Sequence, residues 1–331
     1  MNLFEQQTSN RRRTLLVMGL FVAFFVLLGA GFDLFVLGTG ETYVPLGGII
    51  ALGVGSMSAA AGYFGGDKAV LASTGAVPLL QAVDAAPDDD RRRLRQLQNV
   101  VDEMAIASGL PRPRVYVVPD EDPNAFATGR DPEHASIAVT RGLLGAMSRD
   151  ELQGVIAHEM SHVRNYDIRL MTIIAALVGA VVLLSDWSGR VMRLGGARGG
   201  VGRHGRRDGG GRGAATALLL VIWIVAVILA PLIAQLLAMA VSRQREYLAD
   251  ASGAELTRNP GALADALERI ESHAAPTKVV KRGAAHLCIA DPLGRRVGLK
   301  EGFWSDVFAT HPPMAKRIAA LRRMAYQPVR A

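Results

Sequence analysis

Two histidines four residues apart enclose a glutamate in His158-Glu159-Met160-Ser161-His162. On an α-helix, residues i and i+4 lie one turn apart on the same face, so both imidazoles can bind one Zn²⁺. Glu159 then stands where a general base for a metal-activated water is needed. A catalytic zinc takes three protein ligands and keeps one position open, so the third ligand must come from elsewhere in the chain. The segment Ser242-Arg243-Gln244-Arg245-Glu246-Tyr247-Leu248-Ala249-Asp250 offers two carboxylates four apart on one helical face. Glu246 can supply the third ligand, and Asp250 can accept a hydrogen bond from a liganding histidine and fix its tautomer. The alternative for both acids is pairing with Arg243 or Arg245 along an exposed helix. Asp167, five residues past His162, also has two readings: support for the site, or a solvated acid at a helix end.

Composition narrows the setting. Of 331 residues, half are hydrophobic and 20% are charged, and the mean hydropathy is +0.22. These values argue against disorder, coiled coil and a disulfide-stapled secreted scaffold, and for a membrane protein. The single cysteine, Cys288, rules out an intramolecular disulfide, a zinc ribbon and a CxxC redox pair. Any metal must therefore be held by His, Asp or Glu.

The elements that position these residues begin with two apolar runs, Thr14 to Leu37 and Leu46 to Phe64, each long enough to cross a bilayer. The first exceeds the roughly 7 to 15 apolar residues of a signal peptide. The second is rich in Gly, Ala and Ser, which let membrane helices approach closely. They predict a transmembrane hairpin within residues 1–66, ahead of a catalytic region, 67–331. Arg11, Arg12 and Arg13 precede the hairpin, no Lys or Arg lies in its connection, and Lys68, Arg91, Arg92, Arg93 and Arg95 follow. The positive-inside rule places the N-terminus and everything after Phe64 in the cytoplasm.

Two further apolar runs occupy residues 170–184 and 214–240, joined by a Gly/Arg-rich loop, 185–213. If both runs span, the basic loop lies outside, against the positive-inside rule; if neither does, it stays in the cytoplasm, against anionic headgroups. The loop lacks interleaved aromatics and any nucleic-acid fold motif, so nucleic acid is not expected as a partner. His162 lies eight residues before Leu170 and Glu246 six after Ala240. Continuous helices would lift both roughly 9 to 12 Å beyond the apolar segments, on the same side. The pair thus delivers the third ligand to the HExxH helix whether or not it spans.

In the soluble part, Asp88, Asp89 and Asp90 introduce a helix over 91–108, closed by Gly109 and Pro111. Residues 115–118 and 135–139 read as strands, and 124–129 as a strand or hairpin. Ser148 and Glu151 form a capping box for the helix that carries the HExxH residues. Asn259-Pro260 starts a helix to Ser272, and Thr310-His311-Pro312-Pro313 starts a final one through Met324. Residues 274–305 give mixed signals and no assignment.

The sequences HEMSHVRNYD and SRQREYLAD, with NAFATG upstream and THPP downstream, resemble the M48 family of membrane zinc metallopeptidases, most closely its bacterial HtpX-like branch. The resemblance covers nearly the whole chain; the long Gly/Arg loop departs from the family's short connection. It implies a mainly α membrane protein in which a gluzincin-type domain, α with a small β-sheet, follows the hairpin and is interrupted by the second hydrophobic pair. His158, His162 and Glu246 are implied as ligands of one Zn²⁺ per subunit, with Glu159 as general base and Asp250 supporting a ligand from behind. The site would face the cytoplasm at a bacterial inner membrane, with damaged or misfolded membrane proteins as polypeptide substrates. The resemblance also suggests that Asn124, Ala125, Phe126 and Ala127 form an edge strand receiving substrate, which physically would be β-augmentation; the alternative is an ordinary hairpin. His311 matches a late family histidine and would stabilise the oxyanion of the tetrahedral intermediate, or else only starts a helix. A membrane scaffold with a structural zinc is the rival function; it requires a fourth ligand, for which His311 is the obvious source. A transporter has little support, since no ionisable relay occurs in the apolar runs beyond Asp33, near a helix end.

Overall fold

A computed structural model describes residues 3–34, 44–177, 243–273, 287–290 and 312–325. The loop 185–213, the apolar run 214–240, most of the run 170–184 and His311 lie outside the described residues. The described helices and strands fall into two compact units, one of Met1–Thr14, Gly62–Ala176 and Leu236–Ala331, the other of Leu15–Ala61 and Leu177–Gln235.

The chain opens with two long helices, α1 (Leu3–Phe32) and α2 (Leu46–Ser73). Both are long and apolar enough to cross a membrane. In the second unit they turn Leu15, Leu16, Leu27, Ile49, Ile50 and Met57 outward, an arrangement suited to a lipid solvent rather than water. Gly47, Ala51 and Gly55, spaced by fours, form the side of α2 against α1. A Cβ on Gly29 would overlap the Gly47 carbonyl and meet the Ala51 methyl at 2.6 Å, so the close crossing depends on small residues. Asp33 accepts from the Gly47 and Gly48 N–H groups at 2.6 and 2.8 Å, satisfying the exposed donors at the start of α2. That gives the acid in the apolar run a structural role.

Both helices extend beyond their apolar runs. α2 continues nine residues past Phe64 because its periodicity changes there. Val70 and Leu71 enter a core with Val118, Phe126, Ala138 and Met171, while Asp67 pairs with Arg114 at 2.8 Å. α1 begins well before Thr14, and its polar first turns contact the metal-site unit, as described below.

In that unit the chain continues through β1 (Val77–Pro78), α3 (Leu79–Ala85), α4 (Asp88–Ser108), β2 (Arg114–Val118), β3 (Ala125–Thr128), β4 (Ser136–Thr140), α5 (Arg141–Ala146) and α6 (Arg149–Arg164). After the intervening residues come α7 (Arg243–Thr257), α8 (Pro260–Ser272) and α9 (Met314–Met324). α4 has its three aspartates in the first turn and ends at Gly109 with φ 67°, a left-handed stop that glycine adopts without strain. The sheet order is β1-β2-β4-β3. β2 and β4 run parallel, and the other two pairings are antiparallel. β3 is therefore the terminal strand, and all four of its residues are buried. Leu97, Val100 and Val101 of α4, Val155 and Ile156 of α6, and Leu263 and Leu267 of α8 share one core with Ile137 and Val139 of the sheet.

Residues 167–177 are helical. Leu170, Met171, Ile173, Ile174, Ala175 and Leu177 are buried within the protein.

Candidate metal centre

α6 is fixed at its start by the predicted capping box: the Ser148 N–H donates to Glu151 Oε2 at 2.6 Å, and the Ser148 hydroxyl accepts from the Glu151 N–H. The second carboxylate oxygen of Glu151 takes Arg269 Nε of α8 at 2.9 Å. Burial opposes the charge on Glu151, but the Ser148 bonds and Arg269 outweigh it and hold the carboxyl below its ordinary range. A helix so anchored buries His158, Glu159 and His162 together.

α7 crosses α6 closely. Gly253 permits this: a Cβ there would meet the His158 backbone nitrogen at 3.0 Å and its Cα at 3.2 Å. Glu246, seven residues earlier on the same face, reaches the two histidines. His158 Nε2 and His162 Nε2 stand 3.3 Å apart, Glu246 Oε1 is 3.6 Å from the second and Oε2 3.7 Å from the first. A tetrahedral ion with bonds of about 2.0 to 2.1 Å spaces its ligand atoms about 3.4 Å apart, so these separations suit Zn²⁺. The donor set, two imidazoles and one carboxylate, is that of a catalytic rather than a closed structural site. Among the described residues this is the one group of three or more such side chains able to hold a metal.

Two buried acids sit behind the histidines. Asp250 Oδ1 lies 3.0 Å from His158 Nδ1, as its spacing from Glu246 predicts. Asp167 Oδ2 lies 3.2 Å from His162 Nδ1, and Asp167 has no solvent exposure, which excludes the solvated helix-end reading. With Nδ1 of each ring beside an acid, the two Nε2 atoms face one another and Glu246. Glu246 and Asp250 are likewise buried, so neither belongs to an exposed, arginine-paired helix face.

The sequence did not single out Arg317 on α9. It is fully buried, donates through Nε and Nη2 to both Asp250 oxygens at 2.8 and 2.7 Å, and places Nη1 3.3 Å from Glu246 Oε2. Its signal was present: Met314, Ile318 and Leu321 make the apolar stripe of α9, and an arginine on that stripe requires a buried anion.

Charge states in the metal-free site follow from these neighbours. Burial lowers His158; Asp250 opposes this, Arg317 and His162 reinforce it, and the ring stays neutral-favouring. Burial also acts to lower His162, but Asp167, Glu246 and Glu159 outweigh it and raise the ring to about 9. Glu159 is raised to about 7, by burial first and by Glu246, against the opposing pull of His162 and the Ala127 N–H. Burial raises Asp250, yet Arg317 prevails and holds it at about 2.

The predicted strand 124–127 lies beside the site, with the Ala127 N–H facing Glu159. Its outer edge is engaged upstream: Phe126 bridges antiparallel to Cys288, the Ile289 N–H donates to the Ala125 carbonyl at 2.9 Å, and Asn124 Nδ2 donates to the Ala290 carbonyl at 2.9 Å. The same short segment accepts from Arg317 Nη1 at the Ile289 carbonyl, 2.8 Å.

A buried HExxH helix, a carboxylate from a neighbouring helix grouped with both its histidines, and a pair of membrane-length helices fit a membrane metalloprotease. The chain belongs to peptidase family M48, whose model matches residues 91–325. It is 42% identical over 322 residues to a protease HtpX homolog of Thermoanaerobacter pseudethanolicus, covering 97% of this chain and 98% of that one. A protease HtpX homolog of Streptococcus gordonii is 42% identical over 323 residues, covering 97% and 100%. The crystal structure of S. mikatae Ste24p is similar with a TM-score of 0.48 and 16% identity, over 96% of this chain and 67% of that one.

Proposed function

We propose that this metalloprotease is a zinc endopeptidase of a bacterial inner membrane, cleaving damaged or misfolded membrane proteins at the cytoplasmic face. The observation that carries the reading is the convergence of His158 Nε2, His162 Nε2 and Glu246 on one point, with the Glu159 carboxylate buried beside them. His158, His162 and Glu246 would hold one Zn²⁺ per subunit. When bound, that ion acts as a Lewis acid on the scissile carbonyl and lowers the pKa of a water toward 7.

Glu159 removes the proton of the attacking water and returns it to the leaving amine. Its carboxyl near 7 in the metal-free site suits a group that must accept and release a proton at neutral pH. Asp250 and Asp167 hold the two rings, and Arg317 neutralises the acids that gather around them. The substrate would extend along β3 by β-augmentation. Since residues 287–290 already pair at Phe126, its stretch starts at Ala127, next to Glu159. His311 remains the proposed oxyanion donor from the resemblance alone. The arginines on either side of the hairpin support the cytoplasmic assignment, and the outward leucines of α1 support contact with the lipid bilayer. The scaffold reading with a structural zinc turns on a fourth ligand, and its candidate, His311, lies outside the described residues.

Detergent-purified wild type and Glu159→Gln, matched for measured zinc, should be compared on an unfolded membrane protein. Loss of at least about a hundredfold in kcat with zinc retained is expected. Undiminished turnover would remove Glu159 as the base.

A further inference from the structure

Asn10 lies near the start of α1, 148 residues before His158 in the sequence, yet it is buried in the unit that holds the metal site. Its amide nitrogen donates twice, to the Asn165 carbonyl at 2.9 Å and to Asp167 Oδ1 at 2.7 Å. A backbone carbonyl and a carboxylate oxygen are acceptors, so the NH₂ group faces them. The other Asp167 oxygen is the one 3.2 Å from His162 Nδ1. One turn earlier, Gln7 Nε2 donates to the Arg164 carbonyl at 3.0 Å. Amides of α1 thus satisfy carbonyls left open at the C-terminal end of the HExxH helix. Of the two, only Asn10 also reaches the acid that holds a ligand.

Asp167 is buried, so its orientation is set by what bonds it. Asn10 Nδ2 stands 2.7 Å from Oδ1, and Arg245 Nη1 3.5 Å from the same oxygen. A carboxylate held by one oxygen presents the other in a fixed direction, and that direction sets the plane of the His162 ring. We propose, resting on the zinc reading above, that Asn10 is a positioning residue of the metal centre. It acts through Asp167 on His162, and so makes the first turns of the N-terminal helix part of the catalytic apparatus as well as a membrane anchor.

The test uses the full-length protein in detergent, with Asn10→Ala, the isosteric Asn10→Asp, Asp167→Ala, the double variant Asn10→Ala/Asp167→Ala, and Gln7→Ala as the control for helix contact alone. Zinc release to a chelator and the visible spectrum of the Co²⁺-substituted protein are read beside kcat and KM. Asn10→Ala should release zinc about tenfold faster, the low end of what losing an outer hydrogen-bond partner of a ligand costs. It should also alter the Co²⁺ spectrum and lower kcat with KM unchanged. Asn10→Asp, which sets a carboxylate against Asp167 without changing volume, should do so more strongly and keeps the test open if the alanine variant does not fold. The effects of Asn10→Ala and Asp167→Ala should not add, and Gln7→Ala should leave zinc release within about twofold. Wild-type release and spectrum in both Asn10 variants, additive effects, or equal effects from Gln7→Ala would overturn the proposal while leaving the zinc site standing. Failure of the wild type to take up zinc at all would overturn the reading beneath it.

Discussion

The Arg317 guanidinium clasps Asp250 through two nitrogens, at 2.8 and 2.7 Å, and both side chains are buried. The same arginine reaches Glu246 and the backbone of Ile289. One buried cation therefore ties together a proposed metal ligand, the acid behind another proposed ligand, and the segment that lies along β3.

Removing that cation strands the anions. Arg317→Met should destabilise the metal-free protein by about 3 to 5 kcal/mol, the usual cost of leaving a buried charge without its partner. Arg317→Lys keeps a charge but not the planar fork, and should lose less. Thermal unfolding in detergent distinguishes them; a methionine variant as stable as wild type would show that Asp250 needs no counter-ion.

Zinc uptake should depend on pH through His162. Its pKa near 9 in the metal-free site means the ring carries a proton at pH 7 to 8, and zinc must displace it. A competing proton weakens binding, so apparent affinity should rise by up to about tenfold per pH unit between 7 and 9 and level off above. Asp167→Asn removes an anion that raises the ring, so fewer protons should be released at pH 8. Calorimetry in buffers of differing ionisation heat counts those protons, and an affinity flat from pH 7 to 9 would contradict the charge state assigned to His162.

Gly253 tests the helix crossing. In an unconstrained helix, Gly→Ala gains about 1 kcal/mol in propensity. Here the new methyl would press on the His158 backbone at 3.0 and 3.2 Å, and overpacking typically costs about 1 to 3 kcal/mol. The expected outcome of Gly253→Ala is a net loss of up to about 2 kcal/mol and weaker zinc binding, because Glu246 rides on the displaced helix. A stabilised variant with undisturbed zinc affinity would show that the crossing has room to spare.

Much of the centre was legible in the chain itself. The i, i+4 spacing of His158 and His162 fixes a shared helix face whatever surrounds it. The capping box at Ser148 and the stop at Gly109 are local chemistry, decided within one turn. The apolar runs mark the first two helices, because a bilayer demands a length of apolar chain that no local competition can disguise. Their extensions, to Leu3 and to Ser73, were not legible: once a helix leaves the apolar run, its bounds depend on what its polar face meets.

Tertiary structure alone decided which acids belong to the site. By spacing, Glu246 and Asp250 suited an exposed ion-paired helix as well as a ligand helix, and Asp167 suited a solvated helix end. All three are buried, which removed the solvated alternative, and α7 packs on α6 at Gly253. Asn10 and Arg317 come from opposite ends of the chain, and their roles rest on contacts across 157 and 67 residues respectively. No pattern within a window of sequence encodes such pairings, because a buried hydrogen bond depends on where two distant helices come to rest, and packing the whole core decides that.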